Sequence, residues 1–222
     1  MIKNHILSSR AEWLRERGKR IGGSEVASIV GQNPYFTNVE LWEMKTGRKE
    51  KEDISENPAV KYGTKAEPHL RELFKLDYPE LVVGYEENSL WTNDKYPFAH
   101  ASLDGWLHDQ NGRLGILEIK TTTIRNPTQK AKWDNRIPPN YYCQVLYYMA
   151  ILEADFAILT AQLKWDKQED RPDSEVFKIV KNYHIEREDV QEDIGYLMGK
   201  VAEFWQMIKT DTRPSLVLPV YF

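Results

Sequence analysis

The chain of 222 residues predicts an α/β fold, with helices packed against a central mixed β-sheet. Three observations lead there. Helical patterns with capping residues occupy the first third. Short apolar runs broken by turn residues occupy the middle. A long amphipathic pattern closes the chain. The sharpest local signal is Asp109-Gln110-Asn111-Gly112 between two apolar runs, because Asn-Gly at such a place favours a tight hairpin.

Each element has its own justification. Ser9 to Arg17 reads as a helix ended by Gly18. Ser24 to Val30 reads as a second, with Ser24 as N-cap behind Gly22-Gly23. Thr37 to Thr46 is a third, opened by a capping box, Thr37-x-x-Glu40, and closed at Gly47. Arg48 to Glu56 is densely charged and reads as an exposed loop. Tyr62 to Leu76 is helical in period, and Pro68 places its start near Lys65 or Glu67. Strands follow at Leu81–Tyr85 and Ser89–Trp91. The hairpin then joins Ala101–Gly105 to Gly115–Thr121. Pro139 to Leu152 is an apolar, aromatic helix. Phe156–Leu163 and Glu175–His184 read as strands around a charged turn, Trp165–Ser174. Arg187 to Ile208 is a long amphipathic helix that serves equally as core or interface.

Composition narrows the function class. With 41% hydrophobic residues the chain can bury a full core, and 1–222 reads as one domain. The one cysteine, Cys143, excludes an internal disulfide framework and any four-cysteine metal site; it reads as a small buried filler. The five histidines have no zinc-type spacing. No signal peptide and no membrane-length apolar run is present, so a soluble, intracellular, cytoplasmic protein is expected, with no membrane partner. A net charge of −4 argues against a nucleic-acid partner on average. The distribution reverses that argument. Arg10, Arg15, Arg17, Lys19 and Arg20 cluster near the start, and Lys120, Arg125, Lys130, Lys132 and Arg136 follow the hairpin. A local basic surface is what a polyanion needs.

The hairpin carries the chemistry. Asp104 stands on its first arm, and Glu118-Ile119-Lys120 on its second. Side chains alternate along a strand, so Glu118 and Lys120 share a face and Ile119 takes the other. Two carboxylates at one point suit a hard divalent cation such as Mg²⁺. A neighbouring lysine can hold or deprotonate a water, or offset charge on a phosphate. Metal-assisted phosphodiester hydrolysis is the reaction class this predicts. The competing reading is a structural ion pair. A second Glu-x-Lys, at Glu43-Met44-Lys45, lies in a helical pattern and reads as a solvated helix face.

Five motifs occur in order: Gly22-Gly23-Ser24-Glu25-Val26, Gly63-Thr64-Lys65-Ala66-Glu67, Ser102-Leu103-Asp104-Gly105, Glu118-Ile119-Lys120, and Gln144-Val145 followed by Tyr147-Tyr148-Met149. This set resembles the YqaJ-like viral recombinase family, which includes the phage lambda exonuclease and belongs to the PD-(D/E)xK nucleases. The resemblance implies a restriction-endonuclease-like core. It implies a Mg²⁺-dependent (or Mn²⁺-dependent) 5′→3′ exonuclease on linear duplex DNA, leaving 3′ tails for recombination. Asp104, Glu118 and the Ile119 carbonyl would hold the metal, with Glu67 acting on a second ion or its waters. Lys120 would position the attacking water, and Gln144 the nucleophile or scissile phosphate. Arg17, Ser24 and Ser102 would bind the 5′ phosphate, with Arg20 a rival to Arg17. A homotrimer around DNA, a single-strand annealing partner and a phage or prophage origin are further implications. Leu103 stands where the signature has proline, and no cysteine cluster links the chain to iron–sulfur members. The rival functions are an endonuclease on the same fold and a catalytically silent DNA-end-binding module.

Overall fold

A computed structural model describes residues 1–165 and 177–218. The elements run, in order, β1 (Ile2–Ile6), α1 (Arg10–Gly18), β2 (Ile21–Gly22), α2 (Gly23–Ile29), α3 (Asn38–Lys45), α4 (Pro58–Asp77), β3 (Val82–Gly84), β4 (Ser89–Asn93), β5 (Ala99–His100), β6 (Gly105–His108), β7 (Leu114–Ile124), α5 (Pro127–Ala131), α6 (Pro139–Leu152), β8 (Phe156–Trp165), β9 (Lys178–Glu186) and α7 (Arg187–Lys209). Five strands form the main sheet in the order β3-β6-β7-β8-β9. Among the described residues of this sheet only the β7–β8 pair is parallel, and α6 is the crossover that joins those two strands. The sheet is therefore mixed, as the sequence predicts. Among the described residues no helix is long and apolar enough to cross a membrane.

The sheet has two covered faces. On one, Leu117, Ile119 and Ile158 pack against Leu70 and Phe74 of α4. On the other, Ile116, Leu159 and Ala161 pack against α6 and α7. Cys143 through Leu152 of α6 are all buried, because that helix lies between the sheet, α2 and α7. A helix covered all round has no need of a polar stripe. Burial raises the Cys143 thiol to about 11, which suits a filler and not a nucleophile. The α7 stripe Val190, Ile194, Leu197, Met198, Val201 and Phe204 is buried, so that face belongs to the core.

Several expectations need correction. Helix α4 starts at Pro58, not near Lys65 or Glu67. Asn57 caps it by accepting from Ala59 N at 2.9 Å, Pro58 supplies the helical φ, and the exposed Pro68 removes one hydrogen bond without ending the helix. The N-cap of α2 is Gly22, and Ser24 lies two positions inside; Glu25 reaches back to accept from Gly22 N at 3.0 Å. Lys45 is not on a solvated face. Its side chain is 8% exposed, pairs with Glu25 at 2.8 Å and donates to the Arg20 carbonyl at 2.6 Å. Ser102 precedes the first strand of the hairpin, since β6 begins only at Gly105. The strand β1 was not expected; it pairs antiparallel with β4 and is exposed over most of its length, so its sequence lacks apolar alternation. Residues 166–174 of the expected charged turn lie outside the described residues.

Candidate active site

The site forms where β6 and β7 part. Gly105 pairs with Leu117, and continuing that register sets Asp104 opposite Glu118. Asp104 lies just before β6, and its Oδ2 accepts from the Ile119 N–H at 2.8 Å. The N–H and C=O of one strand residue leave by the same edge. The Ile119 carbonyl therefore also leaves toward Asp104, beyond the end of β6. Glu118 and Lys120 face α6, and Ile119 packs on the α4 side.

Glu118 is 1% exposed. Its Oε1 accepts from Gln144 Nε2 at 2.7 Å and pairs with Lys120 Nζ at 2.5 Å. Its Oε2 is buried without a hydrogen-bond partner among the described residues. An unpartnered buried carboxylate oxygen is costly in isolation and demands an explanation. Beside Asp104 and the Ile119 carbonyl, it fits an oxygen-seeking divalent cation. Gln144 is itself braced by Tyr148, whose hydroxyl accepts from it at 3.2 Å. The ammonium of Lys120 stands 5.0 Å from the Tyr141 ring centroid.

The ionisation of the cluster follows from burial. Desolvation, then the Asp104 charge, pushes Glu118 up to about 8. The same two causes push Glu67 up to about 7. Burial also raises Asp104, against the pull of Lys120 and the Ile119 N–H. For Lys120 burial favours loss of the proton, but Glu118 and Asp104 outweigh it and hold the ammonium above the ordinary lysine range. Three carboxyls, one buried and two part-buried, that resist ionising together suit added positive charge.

Glu67 reaches the cluster from α4. Arg71, one turn on, binds its Oε1, donates through Nε to the Asp104 carbonyl at 2.6 Å, and lies 3.5 Å from the Tyr85 ring centroid. Arg71 thus ties α4 to the first arm of the hairpin. Held this way, Glu67 does not close on the other two carboxylates. Among the described residues no three His, Cys, Asp or Glu side chains stand close enough to hold one ion. The donor set is two carboxylates with a carbonyl, and Glu67 is a neighbour.

The residues expected at the 5′ phosphate lie on the α2 side. Arg17 stacks on Trp13, 4.1 Å from its ring centroid, and Trp13 is fixed by its indole N–H to the Ser89 carbonyl at 3.0 Å. The charge of Arg17 is felt at Asp104 and His100, and that of Arg20 at His100 and Glu16. Ser24 is exposed at the start of α2. The Ser102 hydroxyl is buried and without a partner among the described residues. Gly22 and Gly23 are required by close approach: a Cβ on Gly22 would come 2.8 Å from the His100 ring, and one on Gly23 would enter the Tyr148 ring.

Sequence reasoning gave no such role to five of these participants. Arg71 could have been found from its i,i+4 spacing to Glu67. Tyr148 sits one helical turn beyond Gln144 and was legible in the same way. The Glu25–Lys45 pair and His100, which is buried and kept neutral first by burial and then by Arg17, carry no local signal.

Comparison with known proteins shows the family and the fold. The model of the YqaJ-like viral recombinase domain matches residues 12–156. The uncharacterized protein YqaJ of Bacillus subtilis (strain 168) is 32% identical over 192 residues, which is 84% of this chain. The chain spans 57% of that relative's length. The crystal structure of the alkaline exonuclease LHK-Exo from Laribacter hongkongensis superposes with a TM-score of 0.65 at 20% identity, covering 91% of this chain and 94% of that one. A phage-related exonuclease from Haemophilus somnus 129PT gives 0.53 at 14% identity, over 86% and 96%. The mixed sheet and its flanking helices are thus the fold of these alkaline exonucleases. With its family model spanning most of the chain and the motifs gathered at the β6–β7 fork, this protein belongs to the YqaJ-like viral recombinase domain family.

Proposed function

We propose that the protein is a divalent-cation-dependent deoxyribonuclease that digests one strand of linear duplex DNA from a phosphorylated 5′ end, leaving 3′ tails for strand annealing. The observation that carries this reading is Glu118, opposite Asp104 in the strand register: one oxygen held by Gln144 and Lys120, the other buried and unpartnered among the described residues. A Mg²⁺ or Mn²⁺ ion held by Asp104, Glu118 and the Ile119 carbonyl would neutralise phosphoryl charge and acidify a water. Lys120 stays charged, so it acts as a hydrogen-bond donor and a cation beside the scissile phosphate and not as a base. Gln144 fixes the orientation of Glu118. Glu67, with Arg71, adds an acceptor for waters around the site.

The water oxygen attacks phosphorus, the P–O3′ bond breaks, and the 3′ oxygen takes up a proton. A nucleoside 5′-monophosphate departs. The shortened strand keeps a 5′ phosphate, the group that Arg17, Ser24 and Ser102 are suited to hold in the next round. In keeping with this product class, LHK-Exo has been crystallised in complex with dAMP. A homotrimer around DNA and a single-strand annealing partner complete the reading, both as expectations of the family.

The test is a digestion series with Mg²⁺. Linear duplex bearing a 5′ phosphate should be degraded, a 5′ hydroxyl should slow it, and closed circles should survive. Cutting of circles would replace the reading with an endonuclease. Full activity in Lys120→Ala would remove the catalytic assignment, and inertness of the wild-type protein would leave a DNA-end-binding module.

A further inference from the structure

Helix α6 sets out the site along one line. At its start, Tyr141 lies beside Lys120. One turn on, Gln144 holds Glu118. A further turn on, Tyr148 receives Gly23, at the head of α2 and on the side of Arg17. From Tyr141 to Tyr148 is about 10 Å at the helical rise per residue. Helix α2 packs on α6 and runs the opposite way, so the loop that follows α2 returns to the Tyr141 end.

That loop presents Tyr35. It is 78% exposed, the most exposed aromatic side chain among the described residues. Its backbone is nevertheless fixed. Asn33 is buried, and its Oδ1 accepts from the Tyr35 N–H at 2.8 Å. Pro34 sets the φ before it, and Gln32 N donates back to the Ala27 carbonyl at 2.8 Å. The Tyr35 hydroxyl faces Tyr141, and Lys120 is the next charge it feels. Behind Tyr141 stands Trp133, with ring centroids 5.6 Å apart. Anchored at its backbone and at the Tyr141 hydroxyl, this aromatic leaves most of its surface open at the mouth of the site. It is shaped to receive a flat, apolar ring from solution.

We propose that Tyr35 is a base-stacking platform for the second nucleotide of the digested strand, the one on the 3′ side of the scissile bond. The assignment rests on the exonuclease reading above and adds a substrate polarity to it. The terminal phosphate lies at the Arg17 and Tyr148 end, the scissile phosphodiester lies at Glu118 and Lys120, and the next base then falls at Tyr141 and Tyr35. A stack of this kind is indifferent to sequence, because every base has a π-face. It suits an enzyme that must accept each nucleotide in turn.

The experiment uses a 5′-phosphorylated duplex with 2-aminopurine at the second position, bound in EDTA so that nothing is cut. The wild-type protein should quench this probe, and a probe at the sixth position should respond little. Tyr35→Ala should lose the quench and about tenfold in affinity, and Tyr35→Phe should keep both. An abasic second nucleotide should weaken wild-type binding by a similar factor and leave Tyr35→Ala unaffected. Unaltered quenching and affinity in Tyr35→Ala, with wild-type protein that digests linear DNA in Mg²⁺, would overturn the stacking role alone. Wild-type protein that neither binds nor digests DNA ends would overturn the nuclease reading and the platform together.

Discussion

The Glu118 carboxylate concentrates the physics of this protein in one side chain. It is raised to about 8 and Glu67 to about 7, first by burial and then by the Asp104 charge. A cation binds the ionised forms, so binding must displace protons, and affinity should climb between about pH 6 and 9. Stability of the metal-free protein should run the other way. A carboxyl whose pKa is raised on folding stabilises the fold fully below its unfolded value, near 4.5, and that contribution fades as pH rises through about 8. Thermal melts in EDTA should therefore fall from pH 5 to 9, and Mg²⁺ should restore most of the loss at the alkaline end. A melting temperature in EDTA that rises over this range would contradict the raised carboxyls. Gln144→Leu leaves Glu118 with Lys120 alone. Acting on a group that orients a ligand, it should lower activity about 10–100-fold, with a matching need for more Mg²⁺.

At the scale of elements, two contacts decide whether the site forms. Gly23→Ala would push a methyl into the Tyr148 ring, which braces Gln144. Overpacking of this kind costs about 1–3 kcal/mol, and a melting temperature lowered by roughly 2–4 °C per kcal/mol is the measure. Lys45→Met takes from Glu25 its buried partner and leaves it the Gly22 N–H and, at 3.8 Å, Lys51. Removing one partner of a largely buried pair costs about 3 kcal/mol, and chemical denaturation should show it. The double variant Lys45→Met with Glu25→Leu should recover part of that loss. Elements with strong periods and caps were legible in the sequence. Helix α6 runs from Pro139 to Leu152 as read, and the Thr37–Glu40 capping box is present with Glu40 N donating to Thr37 at 3.2 Å. What escaped were features settled by tertiary contact. Strand β1 is made by β4, the first two turns of α4 by the Asn57 cap, and the buried state of Lys45 by Glu25, distant in sequence but adjacent in space. The site divides the same way. The hairpin pair Asp104 and Glu118 could be read from a local turn and the alternation of a strand. His100 and Tyr35 could not, because their importance lies in what they face.

Across the whole molecule, the groups of the candidate site are spread over both faces of one sheet. Glu118, Lys120 and Gln144 belong to the β7–α6–β8 crossover, Asp104 to the start of β6, Glu67 and Arg71 to α4, and Arg17 to α1. The crossover is the most deeply packed part of the fold, whereas α1 buries no residue. The geometry around Glu118 is thus rigid, and the proposed phosphate grip stands on a lighter element. Light scattering during chromatography should give a trimer if the family's ring applies here, and a monomeric mass for fully active protein would exclude it.

The hydrogen bond from the Ile119 N–H to Asp104 makes this amide a built-in gauge. Its proton lies between the strand that carries Glu118 and the carboxylate that gains or loses charge. In a ¹⁵N-labelled sample its resonance should move as Asp104 titrates, and move again on addition of Mg²⁺ without DNA. One backbone signal would then report the state of the site separately from any measurement of cleavage.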